Sequence, residues 1–130
     1  MIARRINPQN IVKPDASVMA PIAAGAPVSI TNLPTGTQDF TVKVCPDGAR
    51  PDLVLTQSLD YGGTNIGQAV PRNAPALLMV VGGAVAAGDI LKVSGGKLVK
   101  CSVGDQGWFR ALQVGASGDL INVEAADKVA

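Results

Sequence analysis

The sequence predicts an all-β protein, built as a small β-barrel or compact β-sandwich with an extended N-terminal arm. Three observations lead there. Apolar residues come in short β-branched runs separated by turn chemistry, almost nothing repeats at the helical period, and one phrase recurs along the chain. That phrase is AAGDILKV at 86–93, ASGDLINV at 116–123 and, more weakly, AAGAPVSI at 23–30.

The chain has 130 residues, a length that suits one domain with a modest core. Apolar residues make up 47% of it but aromatics only 3%, so the core must be assembled from Val, Ile, Leu and Ala. Fifteen Gly and nine Pro imply many turns. With 11 Lys plus Arg against 10 Asp plus Glu, the net charge of +1 provides no general attraction to nucleic acid or to an anionic membrane. Neither is expected as a partner.

Residues 1–21 differ from the rest and read as an extended arm. Pro8, Pro14 and Pro21 recur, Arg4, Arg5 and Lys13 are opposed only by Asp15, and neither hydrophobic period is present. Proline fixes its own φ and pushes the residue before it towards extended conformations, so this segment is open but stiff. No apolar run of the secretory type follows the basic residues, so the protein is expected to stay where it is made. A single β-domain is expected over 22–126 and a short C-terminal tail over 127–130.

Within the domain, strands are predicted at 28–30, 39–44, 53–56, 76–81, 89–93, 97–102, 109–114 and 119–124. LPTG, CPDG, DYGG, SGG and VGDQG punctuate them, with Pro presetting φ and Gly supplying positive φ. The clearest hairpin is DILKVSGGKLVKCS, in which Leu91 and Val93 face one way and Ile90, Lys92 and Ser94 the other. The apolar run at 74–87 contains Gly82 and Gly83 and is too short for a membrane helix; a buried strand and turn fit it. In the recurring phrase, small residues lead to Gly and Asp and then to an alternating strand. Gly88 and Gly118 are placed to take positive φ, and Asp89 and Asp119 to accept bonds from nearby amides. These are strand-leading turns, and they suggest two similar β-units packed together across one core.

The chain supplies little for catalysis or for a cofactor. There is no His to activate a Ser or Cys, and the carboxylates sit mainly in turns. Cys45 and Cys101 lie in apolar segments without metal-ligand spacing and read as packed free thiols. No metal, cofactor or catalytic residue is assigned. Phe40, Tyr61, Trp108 and Phe109 are too few for a stacking platform that reads sugars or single-stranded nucleic acid.

At 107–125, GWFRALQVGASGDLINVEA resembles the C-terminal strands of tailed-bacteriophage capsid decoration (cement) proteins. The elements that carry the likeness are Ala86 to Val93, Ser94 to Lys97, Arg110 to Leu112 and Gly118 to Val123, in matching order, over about residues 80 to 125. The resemblance implies a β-tulip-like domain with an N-terminal arm, made in the host cytoplasm and added to the capsid outer surface of the virion as a homotrimer. The major capsid protein would be its partner. There it would staple neighbouring copies of that protein and stabilise the head. Ile2, Ile6 and Ile11 of the arm are then expected to fill pockets on the partner, and Arg4 and Arg5 to meet an acidic surface. Two other classes compete. GGAVAAGDILKVSGGK resembles half of a biotinyl or lipoyl carrier domain, with Lys97 as the attachment point, and a small adhesive β-module suits the same composition.

Overall fold

The computed structural model describes residues 10–32, 40–61, 67–75 and 77–130. Among these residues there are ten strands and no helix: β1 Asn10–Pro14, β2 Pro27–Asn32, β3 Phe40–Val44, β4 Leu53–Leu55, β5 Gly67–Pro71, β6 Leu77–Val80, β7 Ile90–Ser94, β8 Lys97–Lys100, β9 Gln106–Ala111 and β10 Leu120–Val129. The first five close into a barrel in the order β1-β3-β2-β4-β5. The other five form a sheet in the order β6-β10-β9-β7-β8. A parallel bridge from Val81 to Leu98, with Gly82 N–H donating to the Leu98 carbonyl at 2.8 Å, draws the two edges of that sheet together.

The two halves are one topology written twice. β1 runs parallel to β3 and antiparallel to β5; Val81, next to β6, bridges β8 in parallel, and β6 is antiparallel to β10. The register repeats residue by residue. Val28 opposite Val44 corresponds to Leu91 opposite Lys100, Ile30 opposite Val42 to Val93 opposite Leu98, and Pro14 opposite Val42 to Val81 opposite Leu98. Likewise Val12 opposite Gly67 corresponds to Met79 opposite Ile121, and Leu55 opposite Ala69 to Ala111 opposite Val123. On this correspondence Cys45 matches Cys101, and Gly48 (φ 75°) matches Gly104 (φ 93°).

The recurring phrase builds one device three times. Ala26, Asp89 and Asp119 donate their N–H groups to the carbonyls of Ala23, Ala86 and Ala116, closing a turn whose third residue is Gly25, Gly88 or Gly118, with φ of 85°, 92° and 91°. That is the pattern of a type II turn. Each glycine N–H then donates across the sheet, to Leu55, Ala111 or Val81, and that residue donates back to the carbonyl following the glycine. Two residues thus oppose one, as in a G1 bulge. In the second and third copies the aspartate also accepts the N–H of Ala86 (2.8 Å) or Ala116 (2.9 Å). The copy at 23–30 is therefore the true counterpart of 86–93. The copy at 116–123 lies in the same half as 86–93, and a bridge between Val85 and Gly115 ties the two together.

Each half has its own core. Val12, Val28, Val42, Leu53, Leu55, Leu59 and Ala69 fill the first barrel; Leu77, Met79, Leu91, Val93, Leu98, Phe109, Ile121 and Val123 fill the second half. Cys45, Val54 and Val70, which face outward from the first barrel, join the second core. Polar contacts fix the joint further. Trp108 Nε1 donates to the Gly48 carbonyl (3.1 Å), Gly48 N–H to the Val93 carbonyl (2.9 Å), Gly95 N–H to Asp47 (2.8 Å) and Val80 N–H to the Gly25 carbonyl (3.1 Å). Arg72, on the linker, donates to the Trp108 carbonyl at 3.0 Å, pairs with Asp127 and lies 5.6 Å from the Phe109 ring centre.

All eight predicted strands are present, with ends that differ by a few residues. Four expectations need correction. The arm does not extend to residue 21: β1 is a barrel strand with Val12 and Pro14 turned inward, too short to display a period, and Pro14 sits at its end where no further ladder N–H is needed. A strand was missed at 67–71 because GQAVP lacks β-branched character except at Val70. Residues 127–130 are not a tail: a bulge between Ala125 and Lys128 breaks the alternation, and β10 pairs on to Val129 opposite Gln106. Finally, the two similar β-units expected to pack across one core are two five-stranded units whose interiors form separate clusters.

The turns and the joint give two predictions. At Gly88 a Cβ would meet nothing within 4 Å, so Gly88→Ala carries backbone strain alone and is expected to cost about 1–2 kcal/mol. At Gly25 a Cβ would run into Leu120 Cδ2 and lie 3.2 Å from Val80 N, so Gly25→Ala should cost about 3 kcal/mol, and thermal unfolding of the two variants should rank them so. Arg72→Ala removes a carbonyl bond and a ring contact from the joint, and chemical denaturation should report a loss of about 1–3 kcal/mol.

Candidate interaction surface

The residues singled out from the sequence fall in different places. Ile2, Arg4, Arg5 and Ile6 lie outside the described residues. Ile11 is on the outer face of β1 opposite Gln68 and is 42% exposed, so it belongs to the barrel wall rather than to a free arm. Gly88, Asp89, Gly118 and Asp119 form the two turns described above. Lys97 opens β8 opposite Ser94, while the hairpin tip is Gly95 and Gly96; the Lys97 stem lies against Gly82. A carrier lysine would be wanted at the tip itself, where it can swing.

Side chains that could do chemistry are dispersed. Among the described residues no three of His, Cys, Asp and Glu gather where they could hold a metal, and the buried side chains are apolar. Cys45 and Cys101 are buried free thiols, and burial pushes both thiols up from their ordinary titration range, which leaves them protonated and unreactive near neutral pH. Asp105 is held below the usual carboxylate range first by its bond from Lys92, at 2.7 Å, and then by the Ser102 N–H. Asp15 is lowered by the Ser17 hydroxyl and amide and by the Thr31 hydroxyl. Both are turn carboxylates engaged by neighbours.

The most distinctive surface is apolar. On the outer face of β6 and β10, Leu78 stands opposite Asn122 and Leu120 opposite Val80; Leu112, whose N–H donates to the Asn122 carbonyl, continues the row. Leu78, Leu112 and Leu120 are each about half exposed, at 54%, 49% and 50%. Beside them a recess of about 330 Å³ opens between the two halves, lined by Val54, Leu55, Val70, Leu77, Leu78 and Leu120 among others, with no charged side chain in its wall. An apolar patch around a recess marks a place where a protein surface is covered by something else. The sequence carried a signal for it that went unread. A run such as LLMVV in an antiparallel sheet puts apolar side chains on both faces, so a wholly buried strand was the wrong inference. Leu77, Met79 and Val81 are buried and Leu78 is not.

No family model matches the chain, and no curated protein matches its sequence. Among solved structures it is similar to the head fiber gp8.5 N base of bacteriophage phi29, at a TM-score of 0.73 and 15% sequence identity, over 94% of this chain and 97% of that one. The likeness spans both five-stranded halves, and it gives this chain the fold of the base of a phage head fiber.

Proposed function

We propose that this chain is a structural protein of a phage virion which binds the outer surface of an icosahedral head, staples adjacent major capsid proteins and so stabilises the shell, acting as a homotrimer. The observation that carries this reading is the fold shared along nearly the whole chain with a protein whose name places it on a phage head. The surface supports it. Among the described residues the buried side chains are apolar, no cluster of His, Cys, Asp or Glu gathers to hold a metal, and the recess beside Leu78 and Leu120 has no charged side chain in its wall.

Attachment in this reading uses the apolar face together with the leading segment, whose Arg4 and Arg5 meet acidic groups on the shell. Single contacts of that kind are weak. Joining three copies makes each later contact effectively intramolecular, and the assembly can hold where one copy would dissociate.

Co-sedimentation of the purified protein with undecorated phage heads tests the reading; protein left entirely in the supernatant would sink it. A chain beginning at Asn10 keeps β1 and should stay folded by circular dichroism while binding heads more weakly, whereas removal of β1 as well should unfold the first barrel. The contribution of Arg4 and Arg5 should fade as salt shortens the range of charge attraction, so attachment of the full chain should weaken between low and about 0.5 M salt more than that of an Arg4→Gln, Arg5→Gln variant. Light scattering should return a trimer mass.

A further inference from the structure

We infer that the open end of the first barrel, where β2 and β4 part, is a docking site for the shell protein, and that it accepts a turn offering one backbone N–H and one lysine or arginine side chain. This rests on the attachment reading and adds a contact to it. The duplication carries it. In the second half β7 and β9 pair at Ile90–Arg110 and Leu91–Phe109, and beyond those pairs the cleft is filled by the 46–49 turn. There Gly48 N–H donates to the Val93 carbonyl at 2.9 Å, and the Gly48 carbonyl accepts Trp108 Nε1 at 3.1 Å. In the first barrel β2 and β4 pair at Pro27–Val54 and Val28–Leu53. Beyond them stand Ile30, the counterpart of Val93, and Asp52, which matches Trp108 counting back from Leu55 and Ala111; between the two lies a recess of about 300 Å³.

The walls define the occupant. Ile30 N–H donates to Asp52 Oδ2 at 2.9 Å, so the backbone of this residue faces the recess, and in an extended strand its carbonyl faces the same way. That carbonyl stands where the Val93 acceptor stands in the second half. Where Trp108 donates, Asp52 accepts, and it is the only charged side chain in the recess wall; Arg50 lines a different recess, with Pro71 and Arg72. A turn that fits brings two donors, one from its backbone and one cationic, and a charge-assisted bond to Asp52 fixes its register. A second copy of this chain does not supply such a turn. The counterpart of 46–49 in the second half is 102–105, where Gly104 N–H is taken by the Ala130 carbonyl and Asp105 brings a carboxylate in place of a cation.

Undecorated phage heads are the probe. Deuterium exchange of the full chain, free and on heads, should show the backbone at 29–32 exchanging several-fold more slowly on heads. Asp52→Asn keeps an acceptor for the Ile30 N–H but removes the charge, so it should leave thermal unfolding unchanged and weaken co-sedimentation about tenfold. An Arg110→Gln, Glu124→Gln variant, altered on the far face of the second half, should bind as the native chain does. Unchanged exchange at 29–32 on bound chains overturns the inference and leaves attachment standing, as does native-strength binding by Asp52→Asn. Slower exchange of the same segment in free protein as its concentration rises also overturns it, because a second copy then fills the recess. A native chain that stays in the supernatant removes the attachment reading and this inference with it.

Discussion

The structure depends on a reciprocal pair of backbone hydrogen bonds at the strand-leading turns. In each turn a glycine N–H reaches across to a residue of the opposite strand, and that residue reaches back to the carbonyl one position further on. The exchange puts two residues against one and bends the strand as it enters the sheet. A five-stranded sheet can close over a core of Val, Leu and Ile only if its strands bend sharply, and closure removes the edges that such short strands would otherwise leave open. Positive φ at the turn glycine is the condition for it, which explains why the same few residues are written repeatedly in a short chain.

Duplication then poses a problem that the side chains resolve. If two equivalent halves dock head to tail, the second exposes the face by which the first held it. In the first barrel that face carries Val54 opposite Val70, both buried in the joint. The corresponding pair in the second is Arg110 opposite Glu124, an exposed ion pair. Gly48 N–H bonds across the joint to the Val93 carbonyl, whereas the corresponding Gly104 N–H bonds to the Ala130 carbonyl of its own half. A surface ion pair contributes little stability, but it makes the face wet and unattractive to an apolar partner. The second half is thus closed to docking in the way the first docks, and the apolar recess remains as the exposed remnant of the joint.

Much of this could be read from residues alone. Alternation around SGG fixed the β7–β8 hairpin, and Gly followed by Asp located the strand-leading turns, because both are local effects of φ and of side-chain acceptors. What could not be read was non-local. β1 and β5 are barrel strands because closure puts Val12 and Ala69 inside, although NIVKP and GQAVP look like loop. The duplication was hidden because the strongest verbal match, between 86–93 and 116–123, lies within one half, while the structurally equivalent copy at 23–30 has Ala26 in place of the aspartate. The apolar surface was missed for a related reason: a run of aliphatic residues does not announce which of its members the sheet turns outward.

The rigidity of the joint bears on how such a body would hold a partner. Arg72 and Trp108 tie the linker, the 46–49 loop and β9 into one network, and Cys45, Val54 and Val70 of the first barrel pack into the core of the second half. Two halves free to rock would lose that freedom on docking, at a cost subtracted from affinity. Two halves already locked have nothing of the kind to lose, so in the proposed attachment a modest apolar face would suffice when several copies act together. For a protein with almost no net charge and few aromatic anchors, such preorganisation would be the chief physical resource for the proposed attachment, and it comes from the packing and polar contacts of the joint.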